Sequence, residues 1–144
     1  MIVGVVGAEG AKFTASGEAE ARCAIIDAIA GAELVVSGAC HLGGVDVWAI
    51  EEARRAGIHT REYPPRVLNW SQGYKPRNIE IATAADVLLN ITVARLPSAY
   101  SGMRFKLCYH CGMAEHIKSG GCWTAKYAER LGKHAVRITV ENAE

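Results

Sequence analysis

Between Cys108 and Ala125 the chain reads CYHCGMAEHIKSGGCWTA, and four side chains in it have the types and spacing of a metal site. Cys108 and Cys111 are separated by two residues, His116 follows after four more, and Cys122 after another five. Three thiolates and one imidazole this close in sequence can surround one tetrahedral ion, at about 2.3 Å from sulfur and about 2.0 Å from nitrogen. Soft sulfur donors with one nitrogen favour zinc over magnesium or calcium. His110 is an alternative nitrogen ligand, and a metal-free set of reduced thiols is the alternative to zinc. The same stretch offers a second chemistry. Ser119-Gly120-Gly121 reads as a turn leading into a helix, where backbone N–H groups can meet an anion.

The composition bounds what such a site can serve. At 144 residues the chain fits one domain, residues 1–144, large enough to bury roughly two-thirds of its unfolded surface. Half the residues are hydrophobic and the formal net charge is +1, so long-range attraction to nucleic acid or to a membrane surface is not implied. No apolar run approaches the roughly 20 residues of a membrane span, and no basic region precedes the apolar start MIVGVVG. The expectation is a soluble, cytoplasmic protein.

The elements that must position the site follow from periodicity. Ile2 to Val6 is a β-branched run that reads as a buried parallel strand. From Thr14 to Ala30 an amphipathic helix is expected, with Ala19, Cys23, Ile26 and Ala30 on its apolar stripe beside Ile25 and Ile29, and Cys23 therefore in the packing. Leu34 to Ser37 is a second strand. The loop GACHLGG follows it, then a helix marked by Val45, Trp48, Ala49, Ala53 and Ala56. Gly38, Gly43 and Gly44 let backbone N–H groups approach an anion beside the positive end of that helix, although a tight turn alone needs the same glycines. Asp46, in its first turn, can complement the helix dipole or hold a ribose hydroxyl.

Ile58 to Tyr63 alternates like a more exposed strand, stopped by Pro64 and Pro65. After the polar stretch Val67 to Lys75, Pro76 opens a short helix, placing Arg77 and Asn78 at its mouth, where a guanidinium can clamp a phosphate. Val87 to Val93 is a central strand, and Val136, Ile138 and Val140 mark a fifth. Between them the run from residue 94 to the helix of Trp123, Tyr127 and Leu131 far exceeds the roughly 12 to 15 residues of an ordinary loop. Ordering it costs about 1–2 kcal/mol per residue, and a structural zinc supplies about 10–16 kcal/mol, so the metal can staple it. Strands alternating with helices imply a Rossmann-like three-layer α/β sandwich, with a mainly parallel five-stranded sheet and a metal-stapled insertion after the fourth strand.

Two resemblances add to this reading. The metal spacing resembles the CCHC zinc knuckle, Cys-x2-Cys-x4-His-x4-Cys, with one more residue before the last cysteine. Ser37-Gly38 with Gly44-Val45-Asp46, then Pro76-Arg77-Asn78 with Ile81-Ala82 and Ala85-Asp86, then Ser119-Gly120-Gly121 with Thr124, is similar in order to the SLOG superfamily. Those Rossmann-like proteins include the Smf/DprA proteins, the LOG phosphoribohydrolases and small YspA-type proteins, to which the chain looks most similar. The likeness runs from Ile2 to Val140 except for residues 94–118, which are read as a zinc-binding insertion.

The resemblance implies a site for a nucleotide or nucleotide-derived small molecule, lined by Gly7, Ser37, Gly38, Gly44, Asp46, Arg77, Asn78, Gly120, Gly121 and Thr124. It also implies a homodimer. The LOG enzymes carry a required glutamate three residues after the threonine of their glycine turn, and the matching position here is Tyr127. The leading expectation is therefore a binding protein that senses or sequesters a ligand, for example one derived from NAD or ADP-ribose, with a structural zinc. One alternative is a nucleotide-processing hydrolase, phosphoribohydrolase-like or zinc-assisted, using Glu9, Glu115 or Asp46. The other is a DprA-like single-stranded DNA binder that stacks bases on Trp70, Tyr74 and Tyr109 and meets phosphates with Arg61, Arg66, Lys75, Arg77, Arg104 and Lys106. Cys40 and His41, in the loop after Ser37, are further candidates to touch the metal.

Overall fold

Five strands, β1 (Ile2–Gly7), β2 (Leu34–Ser37), β3 (His59–Glu62), β4 (Val87–Val93) and β5 (His134–Val140), form one sheet in the order β3-β2-β1-β4-β5. The computed structural model describes residues 1–144. Every pairing is parallel, so the sheet meets the expectation of a mainly parallel one in its strictest form. The register is set by the apolar runs: Ile2 pairs with Leu34, Val5 with Leu89, and Leu89 with Val136.

Four helices cover the sheet: α1 (Ala15–Ile29), α2 (Val45–Arg55), α3 (Lys75–Ala84) and α4 (Gly121–Arg130). Valines of β1 serve both faces. Val3 and Val5 pack with Ile25, Ile29, Trp48 and Ala53 of α1 and α2, while Val6 packs with Ile81, Ala82, Ala125 and Ala128 of α3 and α4. A strand buried on both sides reads as continuous rather than alternating hydrophobicity, as Ile2 to Val6 does. Burying each isoleucine or leucine of these layers contributes about 1.5–3 kcal/mol.

The face that α1 buries corrects the sequence expectation. Gly17, Ala21, Ile25 and Ile29 are buried, at a strict spacing of four, whereas Cys23 is exposed and Ile26 is 50% exposed. Thr14 caps this helix, its hydroxyl accepting from the Gly17 N–H at 3.0 Å. Arg22 ties α1 to α2 by donating to Glu18, Glu51 and Glu52, each at 2.8 Å, with its guanidinium over the Trp48 ring.

Before α3 the chain makes a π turn, Trp70–Tyr74, where the sequence suggested only a polar stretch. Pro76 stands at the start of α3, as a residue without an N–H can. Because β1, β2 and β3 extend to one side and β4 and β5 to the other, the chain reverses direction between β1 and β4. The crevice outside the carboxyl ends of those strands is where such sheets take ligands.

Candidate metal site and ligand cleft

The loop from residue 94 to 120 folds back over that crevice, and its cysteines gather. One ligand atom each from Cys108, Cys111, His116 and Cys122 lies within 4.8 Å of the others, so this cluster can hold a metal ion. Backbone pairing shapes it: Cys108 N–H donates to the Met113 carbonyl at 2.9 Å, and the Cys108 carbonyl accepts from Cys111 and Gly112. His116 is oriented for ligation. Its Nδ1 is 2.8 Å from the Ile117 carbonyl, which can only accept, so Nδ1 carries the proton and Nε2 presents a lone pair. Nε2 lies 3.2 Å from Cys111 Sγ and 3.5 Å from Cys122 Sγ. The nitrogen-to-sulfur edge of a tetrahedral zinc site is about 3.5 Å, so the donor set fits.

The thiols are prepared unequally. Burial pushes the Cys108 thiol up, but the N–H groups of Ser119, His110 and Cys111 outweigh it and leave it below the ordinary thiol value. Burial beside Cys108 pushes Cys122 up to about 12. Asn90 of β4 counters this by donating its amide N–H to Cys122 Sγ at 3.5 Å, leaving its own Oδ1 without a partner. Such an orientation suits a thiolate. His110, the alternative nitrogen, stands outside the cluster against Trp70 and Tyr109. His41 is exposed, and Cys40 lines the adjoining cleft.

That cleft, about 750 Å³, opens at the switch point. Of the residues expected to meet a ligand, Gly7, Asp46, Arg77, Asn78, Gly120, Gly121 and Thr124 are on its wall. Ser37, Gly38 and Gly44 stand behind it. Ser37 is fully buried and gives its proton to the Val5 carbonyl at 2.6 Å. Arg77 donates to the Gly38 carbonyl and, at 2.6 Å, to Asn78 Oδ1, which holds the guanidinium over the β2 turn.

Gly44 locks two turns together. Val45 N–H donates to the Ala8 carbonyl at 3.2 Å and Gly10 N–H to the Leu42 carbonyl at 3.4 Å. A Cβ on Gly44 would stand 2.5 Å from both Ala8 O and Gly10 N, at a φ of 90°. Neighbouring Gly43 has a similar φ of 72° and open space. We therefore expect Gly44→Ala to lose about 2–4 kcal/mol in chemical denaturation and Gly43→Ala only about 1–2 kcal/mol. Equal losses would mean that the packing of the two turns is unimportant.

Sequence reasoning passed over several residues of the wall. Lys12 enters it from a single 3-10 turn, Gly10–Lys12, and donates to the Lys118 carbonyl at 3.0 Å, tying the β1 turn to the metal loop. Burial holds its ammonium below the ordinary lysine value; Glu9 counteracts this, and neighbouring Lys118 adds to the depression. The Lys118 ammonium itself lies over the Tyr109 ring at 5.2 Å and the Phe105 ring at 5.5 Å. Lys12 lies about a hundred residues from Lys118, and no local pattern joins them. The candidate acid Glu9 lines the cleft and accepts from the Tyr100 hydroxyl at 3.2 Å, whereas Glu115 is exposed and off the wall. Tyr127 stacks on Trp123 with rings 5.3 Å apart.

A wholly parallel sheet in this order, helices on both faces and a cleft at the switch point define a Rossmann-like α/β protein with a possible metal-binding Cys3His cluster. No helix is long and apolar enough to cross a membrane. No known protein family and no curated protein matches the chain. Among solved structures it is similar to the molybdenum cofactor carrier protein MCP from Chlamydomonas reinhardtii, with a TM-score of 0.60 and 16% identity over 96% of this chain and 77% of that one. At that identity the likeness shows the fold alone.

Proposed function

We propose that this protein binds a phosphorylated small molecule of the nucleotide class in the cleft and holds it rather than converting it, with a structural zinc at Cys108, Cys111, His116 and Cys122. The observation that carries the proposal is the convergence of Lys12, Arg77 and the turns after β1, β2 and β4 on one crevice. Glycine turns give N–H groups, lysine gives point charge, and arginine gives a planar fork, which together suit phosphate oxygens.

Three further points support holding over conversion. The solved structure to which the chain is similar is of a protein described as a molybdenum cofactor carrier. The position matching the glutamate of the LOG enzymes is an aromatic ring packed on another. A Cys3His site is typically closed, leaving no position for an activated water. All five cysteines are unpaired, which suits a cytoplasmic protein whose thiols stay reduced for the metal. The SLOG resemblance extends the proposal to a homodimer.

Thermal-shift assays with AMP, ADP, NAD and ADP-ribose, alongside zinc and molybdenum analysis of the protein as isolated, test this reading. At a ligand concentration 100-fold above Kd, the expected rise in Tm is about 5–10 °C, with one zinc per chain. No rise with any phosphorylated nucleoside would overturn the ligand class. Molybdenum in the isolated protein would identify the cargo as more than a nucleotide.

A further inference from the structure

The wall facing the glycine turns is aromatic, and its residues come from separate segments. Trp70 comes from the π turn, Trp123 from the first turn of α4, and Tyr109 and His110 from between the first two cysteines. Trp70 meets Trp123 edge to face at 5.2 Å, and His110 lies 5.9 Å from Trp70. Tyr109 lies 4.6 Å from His110. These rings are not core: Trp70 is 40% and Tyr109 59% exposed, in contrast to Trp48, which is 7% exposed under Phe13.

Resting on the phosphate reading above, we propose that Trp70, with His110 beside it, is the platform on which the ligand's planar bicyclic ring stacks. The cleft thereby distinguishes a purine-sized phosphate ester from a phosphorylated sugar without a ring. Large aromatic faces left open opposite a cationic turn offer dispersion and stacking to any flat heterocycle, irrespective of its edge pattern. The platform is also tied to the metal. Tyr109 and His110 sit between two ligands of the cluster, and Lys118 to Gly121 sit between the other two. Ligand and metal therefore favour the same loop conformation, and each raises the affinity of the other by the same factor.

The test uses the full-length, zinc-loaded protein with AMP, GMP and ribose 5-phosphate as probes. AMP and GMP are expected to bind at least about tenfold more tightly than ribose 5-phosphate and to quench tryptophan emission. Trp70→Ala should weaken AMP about 10- to 100-fold while leaving ribose 5-phosphate within about twofold, and Trp70→Phe, which keeps a ring, should recover most of the AMP affinity. AMP should slow zinc transfer to a chromogenic chelator in the native protein and not in Trp70→Ala.

Equal affinity for AMP and ribose 5-phosphate in the native protein would overturn the platform while leaving the phosphate site intact. Equal weakening of both by Trp70→Ala, or no recovery in Trp70→Phe, would assign the residue to folding instead. Binding of none of the three would overturn the phosphate reading as well.

Discussion

Stripping the metal with a strong chelator is expected to abolish ligand binding and lower Tm by roughly 10–20 °C, while the far-ultraviolet circular dichroism of the sheet and helices largely survives. The reasoning starts from the loop, residues 94–120, whose backbone pairing is local, as between Cys108 and Met113, apart from anchors such as Ile117 N–H to the Val93 carbonyl at 2.8 Å. A structural zinc binds such donors with an apparent free energy of about 10–16 kcal/mol, and releasing it also frees the loop, whose regained conformational entropy offsets most of that loss. The net loss should be on the order of 3–5 kcal/mol, enough to release the loop without unfolding β1 to β5. The cleft would go with it, because Lys118, Ser119, Gly120 and Gly121 are on its wall. Cys111→Ser should reproduce both effects at one zinc lost per chain. A protein that carries no metal, or that keeps its Tm and its ligand affinity after chelation, would show that thiol packing alone holds the loop.

The same contrast explains what the sequence made legible. β1 and β4 could be read because neighbours such as Leu88 and Leu89 are buried on opposite faces, which leaves continuous hydrophobicity. The metal cluster could be read because all four ligands fall within a single stretch, so spacing alone implies proximity. The buried face of α1 could not. Alanines lie on several of its sides and Ile25 is adjacent to Ile26, so a register through Cys23 and Ile26 looked as good as the true one through Ala21 and Ile25, and only the packing against α2 selects between them. The aromatic wall failed for a different reason. Trp70, His110 and Trp123 come from three elements, and their meeting depends on a π turn with no distinct pattern, so Trp70 was legible as a stacking ring for single-stranded DNA but not as part of one wall with His110 and Trp123. Ser37 and Gly38 illustrate an intermediate case: their position at a strand end was evident, but not that the Ser37 hydroxyl turns to the Val5 carbonyl while the Gly38 carbonyl accepts from Arg77.

Replacing Asp46 with asparagine is expected to stabilise the protein at pH 8 by about 1–3 kcal/mol, an unusual outcome for a buried polar residue. Asp46 is buried in the first turn of α2, and burial pushes its carboxyl up to about 6 from an ordinary 3.8. The Arg77 charge and the Cys40 N–H offset only part of this. Ser37 stands beside it but gives its single proton to Val5 O. With the folded value above the unfolded one, the native state keeps a proton that the unfolded chain has already released between about pH 4 and 6. Stability therefore falls as pH rises through that window, by roughly 3 kcal/mol at most, and stays lower above it. Asp46→Asn should flatten the profile, as read from urea denaturation between pH 4 and 8. A carboxylate kept at that cost on a cleft wall also discourages anions, so sulfate, whose charge is constant over this range, should stabilise the native protein less at pH 8 than at pH 5. In Asp46→Asn that difference should vanish. Nucleotides separate the two roles the residue can play. If Asp46 accepts a ribose hydroxyl, Asp46→Asn weakens AMP while strengthening sulfate; if it acts only through its charge, both bind more tightly at pH 8. A stability profile with no inflection between pH 4 and 6, or one unchanged in the variant, would place the buried proton elsewhere.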